Sequence, residues 1–148
     1  MSEKQKTIRK AVSVKGSGLH TGNEVTVTFR PAPTGHGLVF RRVDLEGKPL
    51  LEASVDHVVE TARGTTLSKN GATVHTCEHV LAAVVGLGID NLLIDLTRSE
   101  PPIMDGSSRY FIEALAGAGL REQDAEREYI EISENIIFRD EEKKIEMI

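Results

Sequence analysis

Apolar and polar residues alternate with a period of two along much of the first 60 positions. This alternation is typical of strands that bury one face, and it predicts strands over residues 7–14, 24–30, 37–43 and 53–59. Residues 64–68 and 72–74 are predicted to pair as a hairpin, because the Asn70-Gly71 sequence between them favours a two-residue turn.

Two later segments change to the spacing of helices. The first is predicted to begin after Thr76 as N-cap and to end near Leu87, where Gly88 follows. A helical projection places its core face on Cys77, Val80, Leu81, Val84 and Val85. His79 projects to the opposite side, which carries the small residues Ala82, Ala83 and Gly86.

The second helix is predicted to begin at Asp105 or Ser107 and to end near Ala118, before Gly119. Between the helices, residues 91–96 form an apolar run that predicts a buried strand. The order of strands, helix, strand and helix favours an α+β fold, a two-layer sandwich of a mainly antiparallel sheet with two helices.

The pattern changes again after Glu122. Residues 128–132, 135–138 and 143–148 alternate as a further series of strands. We expect residues 1–124 to form one domain and residues 125–148 to begin a second, similar domain. This division predicts that the chain is a fragment of a longer protein.

Charge and composition exclude several classes of protein. The net charge of −5 arises within residues 121–148, which hold 5 basic and 10 acidic residues. No basic stripe with interleaved aromatic residues occurs, which argues against a nucleic-acid partner. No apolar run approaches the roughly 20 residues of a membrane span, and the polar N-terminus does not resemble a secretion signal.

The single cysteine, Cys77, excludes an intramolecular disulfide and a zinc site built from several cysteines. A lone thiol suits the reducing cytoplasm, where we expect the protein to reside.

Candidate chemistry centres on Glu78 and His79, which stand at the head of the apolar segment 80–87. A neutral imidazole is a good zinc ligand, and a neighbouring carboxylate can act as a general base towards an activated water. A catalytic zinc needs about three protein ligands, and this helix supplies one or two. A hydrogen-bonded surface pair without a metal is the alternative.

His75 introduces a second alternative, because residues 75–79 spell H-x-x-E-H, the inverted zinc-protease motif. That motif requires a helix that runs through both histidines. If Thr76 is the N-cap, His75 precedes the helix and does not share a face with His79. The predicted cap therefore argues against a protease.

Seven separated blocks together resemble one enzyme family. In order they are SGLHTG (17–22), FRPAP (29–33), RRVD (41–44), RGTTL (63–67), TCEHV (76–80), GLGIDN (86–91) and PIMDGS (102–107). The ordered set closely resembles the N-terminal half of UDP-3-O-acyl-N-acetylglucosamine deacetylase, the zinc enzyme of lipid A biosynthesis. The resemblance covers nearly the whole chain.

The resemblance implies a role for several residues. It implies that His79 is a zinc ligand and Glu78 the general base, with the other two ligands in a second domain that this chain lacks. It implies hydrolysis of the N-acetyl group of a UDP-linked acyl-N-acetylglucosamine, with this half expected to be inactive alone. His20, Arg63 and Thr65 are candidate substrate-binding residues. The alternative is a loop-stabilising hydrogen bond for His20 and an ordinary role in a strand or turn for Arg63 and Thr65. A non-catalytic domain that binds a nucleotide sugar or a protein partner is the alternative function.

Overall fold

The computed structural model describes residues 3–148. In chain order the elements are β1 (Lys4–Ile8), β2 (Val12–Ser17), β3 (Glu24–Pro31), β4 (Leu38–Arg42), β5 (Leu50–Glu52), β6 (Val58–Glu60), β7 (Thr66–Lys69), β8 (Ala72–Val74), α1 (Glu78–Gly86), β9 (Leu92–Leu96), α2 (Arg109–Ala118), β10 (Leu120–Glu126), β11 (Phe138–Asp140) and β12 (Ile145–Met147).

A five-stranded sheet in the order β2-β3-β9-β4-β5 is the main layer of the fold. Its neighbours are antiparallel except β4 and β9, which run parallel. The second layer holds the helices, and Phe29 of β3 packs edge-on against Phe111 of α2 with ring centroids 6.2 Å apart. The predicted α+β fold with a mainly antiparallel sheet and two helices is confirmed.

Smaller sheets surround this core. Strands β6, β7 and β8 form a three-stranded sheet, β1 pairs with β10, and β11 pairs with β12. The hairpin of β7 and β8 turns at Asn70 and Gly71, whose φ angles of 52° and 78° are those of the predicted two-residue turn. This prediction is confirmed.

Four strand predictions are wrong in detail. Residues 7–14 form two strands in different sheets, because the peptide N–H of Arg9 bonds to Gly119 O and the chain then leaves β1 for β2. Within residues 53–59 only Val58 and Val59 lie in a strand, β6. A 3-10 turn, Val55–His57, precedes it, and the Ser54 side chain accepts a hydrogen bond from the Asp56 N–H there. Residues 128–132 form no strand, and of residues 135–138 only Phe138 lies in one, β11. The strand that the alternation did not predict is β10, which pairs with β1.

The helices end as predicted but begin later. Gly88 and Gly119 follow the two helices with φ angles of 66° and 75°, conformations that favour glycine. Helix α2 begins at Arg109, whose N–H bonds to Ser107 Oγ at 3.2 Å.

The buried face of α1 differs in part from the predicted one. Val85 was expected in the core but is 63% exposed, whereas Ala83 is fully buried. The buried face therefore follows Cys77, Val80, Ala83 and Val84. Ala82 and Gly86 remain exposed. Neither helix within residues 3–148 has the length and apolar character that a membrane span requires.

Candidate active site

Glu78 and His79 are the first two residues of α1. The Glu78 carboxylate accepts a hydrogen bond of 2.9 Å from the backbone N–H of Thr65. Gly64 lies next to the carboxylate, where a Cβ would stand at an ordinary contact distance of 3.4 Å from Glu78 Oε1. The backbone N–H of Thr65 therefore restricts the orientation of the carboxylate.

Thr65 also forms hydrogen bonds with Cys77, the residue that precedes α1. Its carbonyl oxygen accepts hydrogen bonds from the N–H of Cys77 at 3.3 Å and from the Cys77 thiol at 3.4 Å. Burial raises the pKa of Cys77 to about 11, so the thiol is neutral near pH 7. Cys77 acts as a small buried side chain, and α1 is anchored beside β7.

The prediction that Thr76 is the N-cap of α1 is wrong. Thr76 has a φ angle of 50°, which is rare for a β-branched residue. Its hydroxyl does not cap the helix but donates a hydrogen bond of 3.1 Å to Glu100 Oε1. Cys77 occupies the cap position instead.

Glu100 is a site residue that the sequence analysis missed. It is only 1% exposed, and its carboxylate accepts hydrogen bonds from the backbone N–H groups of His20 and Thr21. Burial raises the pKa of Glu100, but hydrogen bonds from Thr21, His20 and Thr76 outweigh it and bring the pKa below the ordinary value. Glu100 is therefore a buried, charged carboxylate.

A cavity of about 290 Å³ opens beside Thr76 and Glu100, and neither Glu78 nor His79 lines it. Its wall includes two of the predicted substrate-binding residues, His20 and Arg63, together with His75 and Glu100. Thr65 contributes its backbone to Glu78 and does not line the cavity, although both of its neighbours do. The structure thus brings His20 and Arg63 to one cavity and places Thr65 at Glu78.

His75 lies outside α1, as predicted. Its ring Nδ1 is 3.2 Å from the hydroxyl of Thr66, and its backbone N–H donates to Ser99 O at 2.8 Å. The single helix through both histidines that the inverted protease motif requires is not formed, because α1 begins at Glu78.

The side chains of this chain meet only part of the requirements of a zinc ion. His79 is partly exposed, and its ring forms no hydrogen bond within residues 3–148. An imidazole of this kind suits zinc, but the same residues contain no group of three His, Cys, Asp or Glu side chains that could hold a metal. The chain therefore offers one fitting ligand of the about three that a catalytic zinc needs.

The family model of UDP-3-O-acyl N-acetylglycosamine deacetylase, LpxC, matches residues 5–148. This chain belongs to the LpxC family. Similar proteins include the bifunctional enzyme LpxC/FabZ of Bacteroides thetaiotaomicron, 50% identical over 138 residues, which are 93% of this chain and 30% of that protein. The bifunctional enzyme LpxC/FabZ of Chlorobaculum tepidum is 48% identical over 97% of this chain and 31% of its own length.

A UDP-3-O-acyl-N-acetylglucosamine deacetylase of Xylella fastidiosa is 46% identical over 94% of this chain and 46% of that protein. The chain therefore spans less than half the length of these curated LpxC relatives. The resemblance stated from the seven sequence blocks is confirmed at the level of the family.

Proposed function

We propose that this chain is part of a zinc-dependent deacetylase that hydrolyses the N-acetyl group of UDP-3-O-acyl-N-acetylglucosamine, a step of lipid A biosynthesis. The observation that carries the proposal is the family match over residues 5–148, with Glu78 and His79 adjacent at the start of α1. The curated name of the Xylella fastidiosa relative supports the substrate. The buried free thiol of Cys77 suits a cytoplasmic location.

In this proposal Glu78 is the general base and His79 is one zinc ligand. A bound zinc would supply Lewis acidity, lowering the pKa of a water towards about 7. Glu78 accepts a proton from the attacking water while the water oxygen forms a bond to the acetyl carbonyl carbon. The C–N bond then breaks, the nitrogen takes up a proton, and acetate and the free amine are released.

The N–H of Thr65 holds Glu78 in place for this transfer. A fixed orientation matters because a general base must lie within hydrogen-bond reach of the proton that it removes. His20 and Arg63, which line the adjacent cavity, are proposed to contact the substrate. For Thr65, a substrate contact remains a prediction beside its observed contact with Glu78.

We propose that a second domain supplies the remaining zinc ligands and that residues 125–148 are its beginning. The low share of the relatives' length that the chain covers supports this. So does a dense set of exposed large apolar residues in this segment: Tyr129, Ile130, Ile132, Ile136, Ile137, Phe138, Ile145, Met147 and Ile148. Exposed apolar residues in such number are typical of a surface that another part of a protein covers.

The test uses the full-length gene product that contains this chain. Glu78→Ala and His79→Ala should each lower acetate release at least about a hundredfold, the range expected for loss of general base or metal chemistry. Glu113→Ala, which removes an exposed carboxylate of α2, is the matched control and should retain activity. Retained activity in either site variant would refute the assignment, and a wild-type protein that binds the nucleotide sugar without releasing acetate would favour a binding domain.

A further inference from the structure

Glu100 is a buried anion without a cationic partner. Within residues 3–148 no basic side chain forms an ion pair with it at 4.0 Å or less. Its Oε2 accepts the N–H of Thr21 at 2.9 Å, and its Oε1 accepts the N–H of His20 and the hydroxyl of Thr76, both at 3.1 Å. A buried charge is costly unless it is paired or hydrogen-bonded, and here the backbone and one hydroxyl provide that stabilisation.

Thr76 is the strained member of this group. Its φ angle of 50° is unfavourable for a β-branched residue and persists only when the surrounding structure holds it. Two hydrogen bonds hold Thr76 in this conformation. The Glu100 carboxylate accepts one from the Thr76 hydroxyl, and Ser99 O accepts one from the N–H of His75. Both contacts join residues 75–76 to residues 99–100.

The conformation of Thr76 sets the direction in which α1 begins. Cys77 follows it and is fixed to Thr65 O, and Glu78 comes next with its carboxylate on Thr65 N–H. A relaxed Thr76 would redirect the chain two residues before Glu78. The Glu78–Thr65 contact therefore depends on a backbone conformation that Glu100 stabilises.

We propose that Glu100 is a positioning residue, which orients Glu78 by holding Thr76 in its left-handed conformation. Glu100 acts through Thr76 and does not touch the reacting atoms. This inference rests on the proposed role of Glu78 as general base.

The same carboxylate fixes the wall of the cavity. It binds the N–H groups of His20 and Thr21, and Gly18 lies so close that a Cβ at position 18 would overlap Glu100 Oε2. Glu100 thus connects the loop that carries His20 to the start of the helix that carries Glu78. Loss of the Glu100 charge is expected to affect both the loop and the start of the helix, whereas loss of the Thr76 hydroxyl affects only the start of the helix.

The kinetic test compares Glu100→Gln, Thr76→Val, the double variant and Thr76→Ser in the full-length protein. Glu100→Gln and Thr76→Val should each lower kcat about tenfold or more, while Thr76→Ser, which keeps the hydroxyl, should restore it to within about threefold of wild type. The double variant should be no slower than the slower single variant, since both substitutions disrupt the same contact between the Thr76 hydroxyl and the Glu100 carboxylate. Glu113→Gln, an exposed carboxylate, is the matched control.

Multiplicative losses in the double variant, or a Thr76→Ser variant as slow as Thr76→Val, would overturn the proposal. If Glu100→Gln does not fold, the comparison of Thr76→Val with Thr76→Ser still decides it. A crystal structure of Thr76→Val provides a readout that does not depend on activity. The Thr65 N to Glu78 Oε2 distance should lengthen beyond 3.5 Å, and an unchanged 2.9 Å contact would refute the proposal even if the wild-type protein proves to have no deacetylase activity.

Discussion

The backbone N–H of Thr65 donates a hydrogen bond of 2.9 Å to Glu78 Oε2 across 13 positions of sequence. The partner is a peptide group, so any residue except proline at position 65 can provide it. A hydrogen bond to a carboxylate from a fixed backbone donor restricts the rotation of that carboxylate. The orientation of the proposed base is thus set by the backbone immediately before β7.

Replacing Thr65 should separate its backbone role from its side-chain role. Thr65→Ala keeps the N–H and should leave kcat of the full-length protein within about threefold of wild type. Thr65→Pro removes the N–H and should lower kcat about tenfold or more, because a hydrogen bond to a charged group contributes about 1.5–3 kcal/mol. Steady-state kinetics measure both, with thermal unfolding to confirm that each variant is folded. A raised KM in Thr65→Ala would support a substrate contact, and equal losses of kcat would contradict the backbone role.

Gly18 should tolerate no larger residue. In Gly18→Ala the added Cβ overlaps the Glu100 carboxylate and the Thr21 hydroxyl, so the free energy of unfolding should fall by about 1–3 kcal/mol. Gly117→Ala is the matched control, since position 117 lies in α2 with nothing within 4 Å of a new Cβ. There alanine should stabilise the helix by up to about 1 kcal/mol. Urea unfolding distinguishes the two, and equal effects would show that the space around Gly18 is not restricted.

Asp95 predicts a pH dependence of stability. Its carboxylate accepts hydrogen bonds of 2.7 Å from both Arg41 and Arg30. Burial raises the pKa of Asp95, but the two arginines outweigh it and bring the pKa below its ordinary value of about 3.9. The stabilisation is therefore fully present above about pH 4 and is lost as the pH falls through the lowered pKa of the folded state.

Asp95→Asn should accordingly lower the free energy of unfolding by about 1–3 kcal/mol at pH 7. The difference from wild type should shrink as the pH falls below about 4, which thermal unfolding between pH 2.5 and 7 can follow. Asp124→Asn removes an exposed charge and serves as the control. A difference that stays constant with pH would contradict the role of the Asp95 charge.

The sequence predicted best those features that depend on a residue's own backbone. Gly88 and Gly119 end the helices, and Asn70-Gly71 turns the hairpin, because each position needs a positive φ. The break between β1 and β2 was missed, since alternation continues across it while the hydrogen-bonding partner changes from β10 to β3. Periodicity indicates which face is buried, not which strand is the neighbour.

The sequence predicted Glu78 and His79 as site residues but not Glu100, because the contacts of Glu100 depend on the tertiary fold. Glu78 and His79 were singled out from the sequence as an acid and an imidazole at the head of an apolar helix, and the resemblance to a family then implied a role for each. Glu100 was missed because its partners lie far away in sequence, at Thr76 and at His20, and a single glutamate in a polar stretch has no distinguishing pattern. Glu100 accepts a hydrogen bond from the Thr76 hydroxyl, and this explains why Thr76 does not act as the predicted N-cap.

Residues 1–148 alone should not bind zinc tightly. His79 is the one proposed ligand, and no group of three candidate side chains occurs in residues 3–148, so calorimetric titration with zinc should show no tight stoichiometric binding. A complete structural zinc site contributes about 10–16 kcal/mol, far more than one imidazole can provide. His75→Ala should leave the titration unchanged, because His75 lies outside α1 with its ring at Thr66. Circular dichroism of both proteins provides the control for folding. Tight one-to-one binding that His75→Ala abolishes would make His75 a second ligand and revive the protease motif.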